Sequence, residues 1–275
     1  MTEEAGMDLS PLAMVVFDWA GTMVDFGCKA PVLALANAFA LEGLSIAERD
    51  LRADMGLAKK DHVRALLARP VVAEAWLAQK GQPSDEGDVA RIYKNLEGLI
   101  TETAAEASQL IPGADTLVRT LRGSGLKIAS TTGYTRPMMD AVRQRAATQG
   151  YLPDLVTCAG DTLQGRPSPL MMYRSALELG VWPMSAVVKV DDAASGIAEG
   201  LAAGAWTIGL AATGNGVGLS EAELAALSAS ERRARIAQSR RILEEAGAHY
   251  VVDTVADCLP VLAHIASRLR ANAHP

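Results

Sequence analysis

The stretch that most restricts this chain runs from Met14 to Asp25, MVVFDWAGTMVD, where an apolar run with two valines stops abruptly at an acid. Met14 to Phe17 reads as a buried strand, and Trp19, Ala20 and Gly21 break it, which leaves Asp18 at the strand's carboxyl end. In open α/β sheets that end faces the crevice where ligands bind, between helix amino termini. A carboxylate there can act as nucleophile and metal ligand, or it can simply cap the turn or helix that follows.

The rest of the chain supplies the sheet this strand needs. After Asp25 the pattern is helical for about eighty residues, over 31–44, 46–54, 60–68, 71–79 and 85–107, with breaks at Gly43, Gly56, Pro70 and Gly81-Gln82-Pro83. From Ile111 onward helices alternate with short apolar strands, expected at 126–130, 155–158, 186–190, 206–210 and 250–252. Alternation of this kind predicts an α/β fold, a doubly wound parallel sheet covered by helices on both faces. The first strand must join that sheet, so the helical span is an insertion: residues 1–25 and 108–275 form the core, and 26–107 an all-helical insert.

Three further pieces carry chemistry. Ser130-Thr131-Thr132-Gly133-Tyr134 ends a strand in hydroxyls and backbone N–H groups that suit phosphate oxygens, though the same residues mark any turn. Arg166 in Gly165-Arg166-Pro167 stands where a helix opens and can clamp an anion with two parallel hydrogen bonds, or it is a surface residue over the preceding loop. Asp191-Asp192 closes the strand Val187-Val188-Lys189-Val190, and adjacent acids repel unless a cation neutralises them, so a hard divalent metal fits there, as does a helix cap. In the insert, Met55-Gly56-Leu57-Ala58-Lys59-Lys60-Asp61-His62 would place Met55, Lys59 and His62 on one helix face. Burial and the neighbouring Lys60 would then lower the pKa of Lys59 and free its amine as a nucleophile, while a solvated charged face is the ordinary alternative.

Asp18-Trp19-Ala20-Gly21-Thr22 is similar to the first motif of the haloacid dehalogenase superfamily, D-x-D-G-T, with Ala20 in place of the second aspartate. The whole chain from about Met14 to the last helix resembles the phosphonatase branch of that superfamily. The matching text is DWAGT followed by V-D-F-G-C-x-A-P, then M-G-L-x-K-x-D-H-V-R-A-L, S-T-T-G-Y-T-R, G-R-P-x-P and K-V-x-D. The resemblance implies a haloacid dehalogenase-like core with a helical cap, and dimers formed through the caps. It also implies Mg2+ held by Asp18, the Ala20 carbonyl and Asp192, and hydrolysis of the phosphorus–carbon bond of a small phosphonate aldehyde. Lys59 would form a Schiff base and Asp18 would attack phosphorus. Arg166 and Thr132 would bind the phosphoryl group, and Met55, His62, Cys28 and Tyr134 match pocket positions. An imine makes a departing carbon feasible, so the lost acid at Ala20 and the gained amine at Lys59 belong to one mechanism. The branch usually carries G-D and a further Asp four residues on; here Asp191 precedes the ligand and Gly196 stands at the later place, which gives Asp191 the outer role. Two rivals remain at this stage: an Mg2+-dependent phosphatase or phosphomutase in which Lys59 only binds substrate, and a silent binding protein.

Composition narrows the partners. The net charge of -6 and the absence of a long basic run argue against nucleic acid or an anionic membrane surface. Cys28, Cys158 and Cys258 are scattered and odd in number, which fits a reducing cytoplasm. The acidic first dozen residues are no secretory signal, and no apolar run approaches the roughly 18–20 residues of a membrane span. A soluble cytoplasmic protein with a frayed amino terminus is expected. Gly214-Asn215-Gly216-Val217-Gly218 lacks the register of a phosphate loop and reads as a flexible loop.

Overall fold

The computed structural model describes residues 8–103 and 107–275. Most of the expected frayed terminus, and positions 104–106 in the expected helix of 85–107, lie outside the described residues. Strand β1 (Met14–Phe17) is followed by helices α1 (Lys29–Ala40), α2 (Glu48–Ala53), α3 (Lys59–Ala68), α4 (Pro70–Lys80) and α5 (Glu86–Thr103). Then come α6 (Ala114–Gly123), β2 (Lys127–Thr132), α7 (Arg136–Thr148), β3 (Leu155–Cys158), α8 (Leu170–Leu179) and β4 (Val187–Asp191). The chain closes with α9 (Ala194–Ala202), β5 (Trp206–Leu210), α10 (Glu221–Ala226), α11 (Ala229–Glu245), β6 (Tyr250–Val252) and α12 (Cys258–Arg270).

The six strands make one sheet in the order β3-β2-β1-β4-β5-β6, with every neighbouring pair parallel. Strands β1, β4 and β5 are buried at every position, as a sheet covered on both faces requires. Alternate side chains divide between the faces: Val15 and Phe17 join the large cluster with Leu35, Phe39 and Ile92, while Met14 and Val16 pack with Met172 and Ala203. The strand order reverses between β1 and β4, so the crevice beyond their carboxyl ends is the topological switch point.

Among the described residues the span from α1 to α5 contains no strand. Helix α5 buries Val89, Ile92, Leu96 and Ile100, spaced by three or four, against its neighbours α1 and α3. Residues 221–246 hold two helices, because Ser228 forms a capping box with Glu231 and restarts the chain at α11. Strand β2 runs past its expected end at 130, since Thr131 and Thr132 pair with Thr157 and Cys158 of β3.

Candidate active site

Register brings the motifs together. Phe17 pairs with Ser130 on one side and Val190 on the other, and the Asp18 N–H donates to the Val190 carbonyl at 3.0 Å, which extends the ladder by one residue. Asp18 therefore emerges between the ends of β2 and β4, beside Thr132 and Asp191-Asp192. Of the ten residues picked out from the sequence, nine line one small cavity: Asp18, Ala20, Cys28, Met55, Lys59, Thr132, Tyr134, Arg166 and Asp192. Its volume is about 30 Å³. His62 is the one that does not reach it.

Arg166 is buried and its Nη1 lies 2.8 Å from Asp18 Oδ1 and 3.4 Å from Asp191 Oδ2, while Nε lies 3.0 Å from Glu199 Oε2. Burial raises the Asp18 carboxyl above the usual range, with Arg166 opposing and Asp191 adding to the rise. The carboxyl of Asp192 is pushed up to about 7 by burial and by repulsion from Asp191 and Asp18. Neutral donors hold it: Thr22 Oγ1 at 3.0 Å, Cys28 Sγ at 3.3 Å and the Asn215 N–H at 2.7 Å. Cys28 also donates to the Ala20 carbonyl at 3.1 Å, and burial keeps its thiol protonated, with its pKa far above the ordinary one. Thr132 Oγ1 accepts from the Tyr134 N–H at 3.1 Å.

Lys59 opens α3 and is only 3% exposed. Its Nζ lies 3.7 Å from Met55 Sδ and 5.3 Å from the centre of the Tyr134 ring. Burial lowers the amine to about 8, against the pull of Asp18. Lys60, expected to assist, points to solvent, so burial does this work. Nor does one helix face align Met55 with Lys59: residues 54–56 form a turn with Gly56 at φ +91°, and the turn delivers Met55. His62 is fully buried one turn along α3, its Nε2 3.0 Å from the Leu51 carbonyl and its Nδ1 without a partner among the described residues. Burial holds it neutral, with a pKa of about 3.

Behind the cavity lies a charged cluster absent from the sequence reading. Lys189, fully buried in β4, places Nζ 3.1 Å from both Asp191 and Glu199 and 2.6 Å from Thr131 Oγ1. Thr131 donates to Glu199 at 2.8 Å. The cluster fixes Arg166 from behind. The only hint in the sequence is a lysine inside a fully apolar strand, where a charge needs partners. The loop 214–218, expected to be flexible, is instead seated against Asp192 through Asn215.

The donor set fits a hard dication. Asp18, Asp191 and Asp192 bring one oxygen each within 4.8 Å of one another. Asp191 is already engaged by Lys189 and Arg166, and its Oδ1 accepts the Ala193 N–H at 3.0 Å. Asp18 is likewise paired with Arg166, at 2.8 Å, whereas Asp192 is held by neutral donors. Carboxyls raised by burial and by the neighbouring Asp191 are stabilised in their charged form when a cation joins them.

A carboxylate at a switch point, facing a second acid pair and a fixed cation, is the arrangement of one hydrolase class. Residues 12–204 match the family model for haloacid dehalogenase-like hydrolases, and the chain belongs to that class. It is 46% identical over 265 residues to a phosphonoacetaldehyde hydrolase of Syntrophobacter fumaroxidans, covering 96% of each chain. A phosphonoacetaldehyde hydrolase of Paraburkholderia xenovorans is 42% identical over 95% of this chain and 98% of its own. A crystal structure of a phosphonoacetaldehyde hydrolase-like protein from Oleispira antarctica superposes with a TM-score of 0.95 at 39% identity, covering 100% of both chains. Within its class, this chain belongs to the phosphonoacetaldehyde hydrolase family.

Proposed function

We propose that this chain hydrolyses the phosphorus–carbon bond of phosphonoacetaldehyde to acetaldehyde and phosphate, with Lys59 and Asp18 as its catalytic residues. The observation that carries the reading is Lys59: a buried amine, brought to about 8, on the same cavity as Asp18, where residue 20 offers no carboxyl to protonate a leaving group. The names of the relatives at 42–46% identity point to the same substrate.

In this scheme the free amine of Lys59 adds to the aldehyde carbon and loses water to give an imine. Asp18 attacks phosphorus, the electron pair of the breaking phosphorus–carbon bond flows into the imine, and the products are an enamine on Lys59 and an acyl phosphate on Asp18. Protonation of the enamine carbon and hydrolysis of the imine release acetaldehyde and restore the amine. Water then cleaves the acyl phosphate. Arg166 and the Thr132 hydroxyl hold phosphoryl oxygens, and Met55 and Tyr134 wall the amine away from solvent. A Mg2+ ion held by Asp18, Asp192 and the Ala20 carbonyl would supply charge neutralisation at the phosphoryl group. Cys28 braces Asp192 as a neutral donor, and Asp191 holds the flanking cations.

The same reading makes residues 26–107 a cap over a core of 1–25 and 108–275. The cavity is small, about 30 Å³, which supports a cap that lifts to load substrate. Pairing of two copies through their caps is supported by Leu33, Leu41, Val71 and Leu77, large apolar side chains exposed in that segment. No helix among the described residues is long and apolar enough to cross a membrane. With free Cys28, Cys158 and Cys258, that supports placing the enzyme in the cytoplasm.

Borohydride added with phosphonoacetaldehyde tests the scheme. Reduction should fix an adduct at Lys59 in the natural chain and in Asp18→Asn, which should release no phosphate, and none in Lys59→Arg. If Lys59 is never labelled while phosphate esters are cleaved, the chain is an ordinary phosphatase of its class.

A further inference from the structure

Asn215 faces two ways. Its backbone N–H holds Asp192 Oδ2, and its side-chain amide makes reciprocal bonds with Arg52 of α2. Arg52 Nη1 donates to Asn215 Oδ1 at 3.2 Å, and Asn215 Nδ2 donates to the Arg52 carbonyl at 2.9 Å. The same guanidinium donates to the carbonyls of Gly27 at 3.0 Å and Gly218 at 3.1 Å. Glu48, one turn back in α2, accepts from Nε at 2.7 Å and holds the fork in plane. The Arg52 side chain is 12% exposed, so these bonds are made largely out of water.

From Arg52 the connection runs on to the amine. The carbonyl of the adjacent Leu51 is held by His62, which sits one turn along α3 from Lys59. The turn between α2 and α3 is tied to the core by Ser195 Oγ, which donates to the Met55 carbonyl at 3.0 Å. One run of contacts therefore joins Asp192 of the core to Lys59 of the helical segment, through Asn215, Arg52, Leu51 and His62. None of these four lines the small cavity.

We propose that Arg52 and Asn215 are positioning residues that latch the cap to the core, so that seating the cap and fixing the Asp192 carboxylate are a single event. The roles of cap and amine rest on the phosphonatase reading; the latch itself is tested without substrate. Coupling is reciprocal: if the latch steadies Asp192 for a dication, a dication at Asp192 favours the seated cap.

The experiment uses the full chain and Mg2+ alone, with affinity measured by calorimetry and backbone hydrogen exchange followed over residues 48–68. In the natural chain Mg2+ should slow exchange there. Arg52→Ala and Asn215→Ala should each weaken Mg2+ by about 10-fold, a usual loss for groups that orient metal ligands, although Asn215→Ala keeps the N–H that touches Asp192. Both should abolish the Mg2+-dependent slowing, and the double variant should lose no more than either single one, because each removes the same latch. Arg52→Lys should not restore binding, since an ammonium cannot span the separate oxygens a guanidinium reaches. Natural affinity in both single variants, unchanged exchange over 48–68 on adding Mg2+, or losses that add in the double variant would each overturn the latch. Failure to label Lys59 with borohydride would instead overturn the phosphonatase reading and leave these measurements standing.

Discussion

A Cβ atom on Gly196 would fall 1.8 Å from Oδ2 of Asp191, so these two positions compete for one space. The Asp191 carboxylate, held there by Lys189 and Arg166, fills the volume a side chain at 196 would need. The two positions therefore exclude each other: with Asp191 in place, position 196 has no room for a side chain.

That relation predicts a sign reversal. Gly196→Asp in the natural chain should destabilise by about 1–3 kcal/mol through overpacking, with added charge repulsion. Asp191→Gly should cost about 3–5 kcal/mol, because Arg166 and Lys189 lose a buried partner. The double variant should recover most of both losses. Thermal melts of the four proteins check this, and additive losses would refute it.

The reaction with aldehyde should follow the free amine. Lys59 titrates near 8, so the rate of borohydride trapping should fall about tenfold per pH unit below that value and level off above it. A profile that keeps rising to pH 10 would place Lys59 in solvent.

His62 makes a stability prediction with a definite sign. Its folded pKa of about 3 lies below the unfolded 6.5, so its contribution is intact above 6.5 and is lost as pH falls toward 3. The loss amounts to roughly 4 kcal/mol over that window. Denaturant titrations from pH 7 to pH 4 should show a shallower decline for His62→Asn than for the natural chain.

Removing divalent metal should lower the melting temperature most above pH 7. The Asp192 pKa is raised from 3.8 to about 7, so its share of metal-free stability is present below 3.8 and lost as pH rises through about 7. A bound dication offsets that loss and adds its own binding free energy. Melting curves with chelator and with added Mg2+, at pH 6 and pH 8, should diverge at the higher pH.

Glu199→Gln tests the buried cluster. The change leaves Lys189 and Arg166 short of a carboxylate they both contact, and should cost about 3–5 kcal/mol. Arg166 would also be less firmly aimed, so phosphate release should slow while trapping at Lys59 is kept. Equal loss of both would make Glu199 purely structural.

Local pattern carried much of this protein. A strand ending at Asp18, strand-end acids at 191 and 192 and a helical insert with a paired lysine can each be read from neighbours in sequence, because period and turn chemistry are local, whereas Arg166, expected where a helix opens, lies in a turn four residues before α8. Their order along the chain predicts the switch-point sheet. Tertiary structure decided what depends on distance through space. It chose burial over Lys60 as the cause of the lowered Lys59 amine, and filled the space beside Gly196 with Asp191. It also turned loop 214–218 into a brace, and joined Lys189 to Glu199 and Arg52 to Asn215. Those partners meet only once strand order and helix packing are fixed, and the strength of a charge or a hydrogen bond depends on the water excluded around it, which no local pattern encodes.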